Sequence, residues 1–332
     1  MAAFEQEFSR VLDLPGESVA VNSGTSALHL GLLAIGIGPG DEVIVPSFTF
    51  AATANAVALV GAVPVFADID PDTFTLDPAS VASVIGSRTR AIMPVHLYGH
   101  SAPMTELEAL AEQHGLAIFE DAAQAHGATL DGRPVGSWGV GAAFSFYPTK
   151  NMTAAEGGML VLDDAQHVRQ ARLLRNQGML EQYRNEVVGF NTRMTDIHAA
   201  IGRVQLASLH DWTARRRKTA ALYDEQLSGV TVPPVAPGAY HVYHQYTIRV
   251  ASDRDGFVRA LFDEHGVRAG VYYPVPVHRL QTFASSELRA ELPRTELAAS
   301  EVVSIPVHPS LSRRQVDRVV AAVNAVARAG AS

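Results

Sequence analysis

The chain has 332 residues, 47% of them apolar, which is enough to bury the core of one large domain with a smaller appendage. Its net charge of −8 lacks the basic excess of nucleic-acid-binding proteins, so no nucleic-acid partner is expected. Cysteine is absent, which excludes a disulfide framework and thiolate metal sites. The first residues lack the basic and apolar regions of a signal peptide, and the weakly polar run 51–67 is interrupted, so we expect a cytoplasmic protein without membrane association.

Apolar runs and amphipathic segments alternate through the first two thirds of the chain. The pattern predicts helices over residues 24–36, 49–60 and 104–115. It predicts strands over residues 42–45, 64–69, 90–95, 116–119, 142–146 and 159–162. Such alternation is typical of the α/β class, in which helices cover both faces of a mostly parallel sheet.

The pattern changes near residue 202, where one long helix is predicted to residue 227. Its basic run, 215–218, is interpreted as a solvated helix face, with contact to a nucleotide's phosphates as the second interpretation. After a proline-rich linker at 232–237, the sequence predicts strands over 246–250, 268–273 and 302–305. We therefore expect a large domain, 1–212, and a small α+β C-terminal domain, 213–332.

Two polar side chains follow buried strands in the predicted sheet. Lys150 comes after the strand 142–146, and burial at such a place can lower an amine's pKa enough for it to act as a nucleophile and form a Schiff base. Asp121 comes after the strand 116–119, where ligands bind in open α/β sheets. A carboxylate there can pair with a pyridinium nitrogen and keep it protonated. The ordinary interpretations are a solvated lysine and an exposed aspartate.

A third segment supplies the features of a phosphate site. Gly24 and Thr25 open the first predicted sheet-covering helix, whose free N–H groups suit an anion, although they would also suit an ordinary helix cap. The hydroxyl of Ser145, within an apolar strand, needs a partner that a phosphate oxygen would provide. Phe50 has the shape to stack on a flat ring or to fill the core. An amine, a carboxylate and a phosphate cradle together predict a pyridoxal 5′-phosphate (PLP) site.

No metal is predicted. Asp68, Asp70 and Asp72 alternate like the start of a calcium loop, but Thr73 and Ala79 replace the glycine and glutamate that such a loop requires. The thirteen histidines form no HExxH motif.

Several segments resemble the DegT/DnrJ/EryC1/StrS family of sugar aminotransferases. They are residues 22–28, 40–46, 120–127, 144–151, 156–158, 189–194 and 273–274. The likeness covers essentially the whole chain in the family's order. It implies the PLP-dependent fold type I: a large domain with a mainly parallel seven-stranded sheet, a smaller C-terminal domain, and a homodimer with shared active sites.

The resemblance also assigns roles to matching residues. Lys150 would hold PLP as a Schiff base, and Asp121 would pair with the ring nitrogen. Gln124 would contact the hydroxyl side of the ring, and Phe50 would stack on it. The remaining contacts are the phosphate ligands Gly24, Thr25 and Ser145, the phosphate contact Asn191 from the neighbouring subunit, and the substrate candidates Arg193, Tyr273 and His278.

The resemblance implies ping-pong transfer of an amino group from glutamate or glutamine to a keto sugar, nucleotide-linked, for amino-sugar biosynthesis. Two departures from the family bear on the substrate: Tyr272 stands where histidine is common, and the segment before the helix at 4–8 is short. The short segment has three interpretations: a misplaced start site, a trimmed chain or a more open entrance.

Five further functions are weighed against sugar transamination. A keto-cyclitol aminotransferase and an aminohydroxybenzoate synthase-like enzyme share every cofactor motif with it. A sugar dehydratase would carry histidine in place of Lys150. A regulatory homologue without activity would be expected to lose at least one of Lys150, Asp121 and Ser145, and all three are present. An aldolase-type lysine would not explain the phosphate cradle and Asp121 together.

Overall fold

The computed structural model of the protein describes residues 1–284 and 291–330. Its helices are Ala2–Val11 (α1), Gly24–Ala34 (α2), Ala52–Leu59 (α3), Pro78–Val84 (α4), Met104–His114 (α5), Ala165–Arg175 (α6), Asp196–Leu206 (α7), Leu209–Gln226 (α8), Arg254–Asp263 (α9), Pro293–Glu301 (α10) and Arg313–Gly330 (α11). Its strands are Glu17–Val21 (β1), Glu42–Pro46 (β2), Val63–Ala67 (β3), Thr89–Ile92 (β4), Ala117–Asp121 (β5), Thr129–Leu130 (β6), Arg133–Pro134 (β7), Gly141–Ser145 (β8), Gly158–Leu162 (β9), Met179–Glu181 (β10), Arg184–Asn185 (β11), Ala239–Tyr240 (β12), Tyr246–Arg249 (β13) and Val302–Ile305 (β14).

Seven strands form the central sheet, in the order β1-β9-β8-β5-β4-β2-β3. Strand β9 runs antiparallel to both of its neighbours, and the other pairs are parallel. Strands β8 and β9 are buried at every position, because helices cover both faces of the sheet. The α/β class and the mainly parallel seven-stranded sheet are thus confirmed. Within the described ranges, none of the helices has the length and apolar character needed to cross a bilayer.

The antiparallel β9 gives the sheet one direct strand reversal. Residues 146–157 connect β8 to β9 and fold back on themselves through backbone bonds, from Phe146 N–H to Gly157 O (2.9 Å) and from Ala154 N–H to Phe146 O (3.0 Å). The Thr153 hydroxyl also donates to Phe146 O, at 2.9 Å. The loop that carries Lys150 is therefore fixed at both ends by neighbouring strands.

A separate apolar core lies in the C-terminal part of the chain. Helices α8, α9 and α11 pack around the antiparallel pair β13 and β14 and bury Tyr223, Tyr246 and Leu261. Helix α8 links two cores, since Leu209 packs with the large-sheet residues and Tyr223 with the C-terminal ones. The expected boundary between residues 212 and 213 falls inside α8, and the division into two domains stays a prediction.

Two predicted elements are wrong. The single helix over 202–227 is two helices, α7 and α8, joined at Ala207 and Ser208. The two linking residues are alanine and serine, and both keep backbone angles in or near the helical region. No glycine or proline therefore marks the break.

The strand predicted over 268–273 is also wrong. Only Gly270 pairs with Ser304 of β14, through two backbone bonds of 2.9 and 2.8 Å. Arg268, Tyr272 and Tyr273 instead line a cavity, because the segment turns away from β14 on both sides of the glycine. The sequence pattern did not predict β1, α4 or α6.

Candidate active site

A cavity of about 930 Å³ opens at the carboxyl ends of β5 and β8. Its lining includes Asp121 and Ser145, the last residues of these strands, together with residues of the C-terminal part of the chain. The volume lies at the upper end of the range for small-molecule sites. The position is the one at which open α/β sheets bind ligands.

Asp121 is buried in the floor of this cavity, 5% exposed. Its carboxylate accepts hydrogen bonds from the Thr53 hydroxyl (2.7 Å) and from the Ala123 N–H (3.2 Å). Burial raises the pKa of Asp121, while the Thr53 bond and the Lys150 charge act in the opposite direction. The ordinary interpretation of Asp121 as an exposed aspartate is therefore wrong.

Lys150 lines the same cavity, on the loop between β8 and β9. Its backbone N–H donates to Tyr147 O at 2.9 Å, which closes a turn. Burial lowers the pKa of the Lys150 amine to about 8, and the Asp121 carboxylate partly offsets this by favouring the charged form. A lysine with this pKa is about one tenth neutral at pH 7, several hundred times the fraction for a solvated lysine.

The first turn of α2 forms the end wall of the cavity. Ser23 caps the helix by accepting a bond from the Ser26 N–H, so its own side chain does not fill the site. A Cβ on Gly24 would lie 2.7 Å from the Ser145 Cβ, so glycine is required for this close approach. The helix N-terminus, the Thr25 side chain and the Ser145 hydroxyl face one space and make a setting suited to an anion.

Gln124 and Phe50 lie on the cavity wall between these groups. The Gln124 side chain accepts a bond from the Tyr98 N–H (2.7 Å) and donates one to the Tyr273 hydroxyl (3.1 Å). Phe50 is 59% exposed, with its ring centre 6.0 Å from that of Tyr273. An aromatic ring this exposed is not core filling, so its position leaves a face free for a ligand.

The buried side chains of Glu120 and His96 support the C-terminal end of β5. Glu120 points to the opposite face of β5 and accepts bonds from the Gly136 and Trp138 N–H groups, each 2.8 Å. His96 accepts the Ala102 N–H at Nδ1, so its Nε2 carries the proton and donates it to Glu120 at 2.9 Å. The backbone N–H of His96 donates to the backbone oxygen of Asp121, at 3.1 Å. This network fixes the backbone on which Asp121 sits.

Three of the residues suggested by the resemblance lie outside this cavity wall. Asn191 is exposed and Arg193 donates to the Asn176 side chain at 2.8 Å, both on the surface of the large domain. His278 is buried, with its Nδ1 2.6 Å from the Ser47 hydroxyl and its Nε2 3.2 Å from Glu296. Both nitrogens of His278 therefore have partners within the chain, and its role as a substrate contact stays a prediction.

The interpretation of residues 215–218 as a solvated face is wrong for Arg216. This side chain is 7% exposed and lines the cavity, whereas Arg215 and Lys218 are exposed. The periodicity of α8 gave no signal, because a buried arginine in a basic run has the same pattern as its solvated neighbours. Thr53 was not predicted either, because its contact with Asp121 joins residues 68 positions apart.

The profile of the DegT/DnrJ/EryC1/StrS aminotransferase family matches residues 1–324. The "Erythromycin biosynthesis sensory transduction protein EryC1" of Saccharopolyspora erythraea is 46% identical over 97% of this chain and 89% of its own length. The "dTDP-3-amino-3,4,6-trideoxy-alpha-D-glucose transaminase" of Streptomyces venezuelae is 44% identical over 97% and 86%. The crystal structure of S. venezuelae DesV with a ketimine intermediate superposes with a TM-score of 0.94 at 44% identity, covering 98% of this chain and 88% of that one.

Members of this family depend on PLP, and the side chains of the cavity fit that cofactor. Its three needs are a carboxylate for the ring nitrogen, an amine for the aldehyde and a cradle for the phosphate. The cavity offers all three, and the cradle is one that a single added Cβ at Gly24 would obstruct. This fit and the full-length similarity have one consequence: the chain belongs to the DegT/DnrJ/EryC1/StrS family of PLP-dependent aminotransferases.

Proposed function

We propose that the protein transfers an amino group from glutamate or glutamine to a nucleotide-linked keto sugar, as a step in amino-sugar synthesis. The observation that carries the proposal is that the Lys150 amine and the Asp121 carboxylate share one cavity with an anion cradle. The sugar is supported by the printed activity of the Streptomyces venezuelae relative, a dTDP-amino-sugar transaminase.

When bound, PLP supplies an electron sink for the carbanion formed at the substrate carbon. Asp121 would accept the ring N–H and keep the nitrogen protonated. The Thr53 and Ala123 bonds hold the carboxylate in place and favour its charged form. Gln124 would contact the hydroxyl side of the ring, and Phe50 would stack on the ring.

Lys150 serves as covalent anchor and as proton carrier. Its Nζ would be the group in the cavity that takes up and returns the proton exchanged during amino transfer. A pKa of about 8 suits both halves of this exchange, because neutral and charged forms are both populated near neutral pH. Backbone bonds at both ends of the loop between β8 and β9 fix the backbone that carries Lys150.

Gly24→Ala is expected to weaken cofactor binding about tenfold or more, while leaving the fold intact. The added Cβ would meet Ser145 at 2.7 Å, and Ser145 would have to leave the cradle. Fluorescence titration of the cofactor-free protein with PLP measures the change. Gly38→Ala is the matched control, since the nearest atom to its Cβ would be 4.0 Å away. Equal affinities in both variants would count against the phosphate assignment.

We further propose that the working form is a homodimer with Asn191 of each subunit reaching the other's phosphate cradle. Helix α7, just after Asn191, carries a stripe of exposed apolar side chains, namely Ile197 (74%), Ile201 (38%) and Val204 (72%). Their spacing of four and three residues puts them on one helix face. An apolar stripe of this kind, beside a residue assigned to a neighbour's site, supports contact with a second copy.

Val204→Asp is expected to raise the dimer dissociation constant at least about 30-fold, because a carboxylate would be buried among apolar groups. Sedimentation velocity over a concentration series measures the shift, and activity should fall with the dimer fraction. Leu297→Asp, at a 48% exposed site on α10, serves as the control. A fully active monomer would refute both the dimer and the shared site.

The acceptor can be identified by loading the protein with pyridoxamine phosphate and adding single keto sugars and keto cyclitols. Return of the aldehyde absorbance marks a competent acceptor. We expect nucleotide-linked keto sugars to react and free cyclitols not to. A response to cyclitols alone would support a cyclitol aminotransferase instead.

A regulatory function is suggested by a specific observation, the "sensory transduction" name of the Saccharopolyspora relative. It predicts that glutamate and glutamine leave the absorbance of the PLP-loaded protein unchanged. The retained Lys150, Asp121 and Ser145 favour catalysis, so we expect one of the two donors to convert the spectrum.

A further inference from the structure

Arg216 is a buried cation that lines the cavity from helix α8. It projects from the middle of α8, is 7% exposed and lines the cavity. Its Nη1 donates to the backbone oxygens of Tyr243 (3.2 Å) and His244 (3.5 Å), which orient the guanidinium from behind. The side chain is therefore held in place by backbone groups before any ligand arrives.

The charge of Arg216 has no counter-ion in the described part of the chain. None of the ion pairs found there includes it, and its Nε has no hydrogen-bond partner among the described residues. Burial lowers the pKa of Arg216 to about 10, and no carboxylate offsets that cost. A buried cation without a partner is costly, and such groups are normally paired. The missing partner is thus expected to come from outside the chain.

One further arginine lines the cavity, whereas the neighbouring His308 is favoured in its neutral form. Arg268, an exposed side chain on the segment before Gly270, lines the same cavity. His308 lies close enough that the Arg216 charge lowers its pKa, after the larger effect of burial. The two acids of the cavity lie elsewhere: Asp121 faces Lys150, and Glu156 belongs to the loop between β8 and β9.

We propose that Arg216, assisted by Arg268, forms an anion subsite that binds carboxylate or phosphoryl oxygens of a substrate. The inference rests on the proposed amino transfer, in which both substrates enter this cavity in turn. A carboxylate of the amino donor and the diphosphate of a nucleotide-linked acceptor share the required chemistry. The subsite is distinct from the cradle at Gly24 and Ser145, because Arg216 belongs to α8 and that cradle would be taken by the cofactor.

Isothermal titration of the PLP-loaded protein with two unreactive probes separates the two sources. Glutarate represents the donor's carboxylates, and inorganic pyrophosphate represents the acceptor's diphosphate. Arg216→Gln is expected to weaken binding of at least one probe about 10- to 100-fold, as for loss of a charged hydrogen-bonding partner. Arg215→Gln, the exposed neighbour on α8, is the matched control and should bind like the unmodified protein.

Arg268→Gln provides a second test in case Arg216→Gln misfolds. The Arg268 side chain is exposed, so its loss leaves the core unchanged. It should weaken the same probe by a smaller factor. If the variants weaken the binding of glutarate alone, the subsite is assigned to the amino donor. If they weaken the binding of pyrophosphate alone, it is assigned to the acceptor. The proposal is overturned if neither probe binds the unmodified protein, or if Arg216→Gln and Arg268→Gln leave both affinities unchanged. The cofactor's absorbance tests the proposed function separately, since its absence would remove that function whatever the probes do.

Discussion

Lys150→Ala should lower kcat by at least about 10³-fold and remove the covalent link to the cofactor. The substitution deletes the only amine that lines the cavity within the described residues, and with it both the anchor and the proton carrier. Single-turnover mixing with amino donor, followed by visible absorbance, measures both losses. Non-covalent cofactor binding should survive, because the cradle at Gly24 and Ser145 is intact.

The chain offers an unusually direct control, since its only lysines are Lys150 and Lys218. Lys218 is exposed on α8, so Lys218→Ala should keep full activity. Borohydride reduction of the PLP-loaded protein, followed by peptide mass spectrometry, should place the label on Lys150. Labelling of Lys218, or turnover by Lys150→Ala, would contradict the assignment.

Asp121→Asn is expected to lower kcat/KM by about 10²- to 10³-fold, the range for removing one preorganised charge from an active site. The amide cannot keep the ring nitrogen protonated. The same change removes the anion that raises the pKa of Lys150, so that pKa should fall below about 8. Steady-state kinetics and a pH titration of the Lys150 amine in the cofactor-free protein follow the two effects.

Asp163→Asn is the matched control for this variant. Asp163 also follows a sheet strand, but β9 is antiparallel, so the residue lies at the opposite edge of the sheet. It should have no effect on kcat/KM. Thermal unfolding should show no loss of stability in Asp121→Asn, because burial disfavours the charged form that the substitution removes. Equal activity of Asp121→Asn and Asp163→Asn would remove the carboxylate from the mechanism.

The sheet was predictable where burial on both faces leaves a continuous apolar run. Strands β2, β8 and β9 are of this kind, and their predicted positions match within a residue or two. Strand β1 has an exposed glutamate at its start and gives a weaker signal, so its pairing with β9 was missed. The break between α7 and α8 depends on tertiary packing, which no local residue type records.

The site was predictable where a polar residue directly follows an apolar strand. Lys150 and Asp121 meet this condition, and the structure brings both to one cavity. Arg216 was not predictable, because its burial depends on how α8 meets the segment 243–244, which is distant in sequence. The short contact between Gly24 and Ser145 likewise joins the start of α2 and the end of β8, which are neighbours only in space.

The hairpin formed by β8 and β9 positions two parts of the site that have separate chemical roles, the Lys150 amine and the phosphate cradle. A parallel strand after β8 would have required a long crossover connection. The antiparallel β9 follows β8 directly, so the Lys150 amine lies on a short connecting loop. The first residue of the returning strand, Gly158, approaches α2 so closely that a Cβ there would lie 2.3 Å from Ser23 O. The same backbone segment therefore fixes the position of the Lys150 loop relative to the cradle at Gly24 and Ser145. A register shift in this hairpin would displace both.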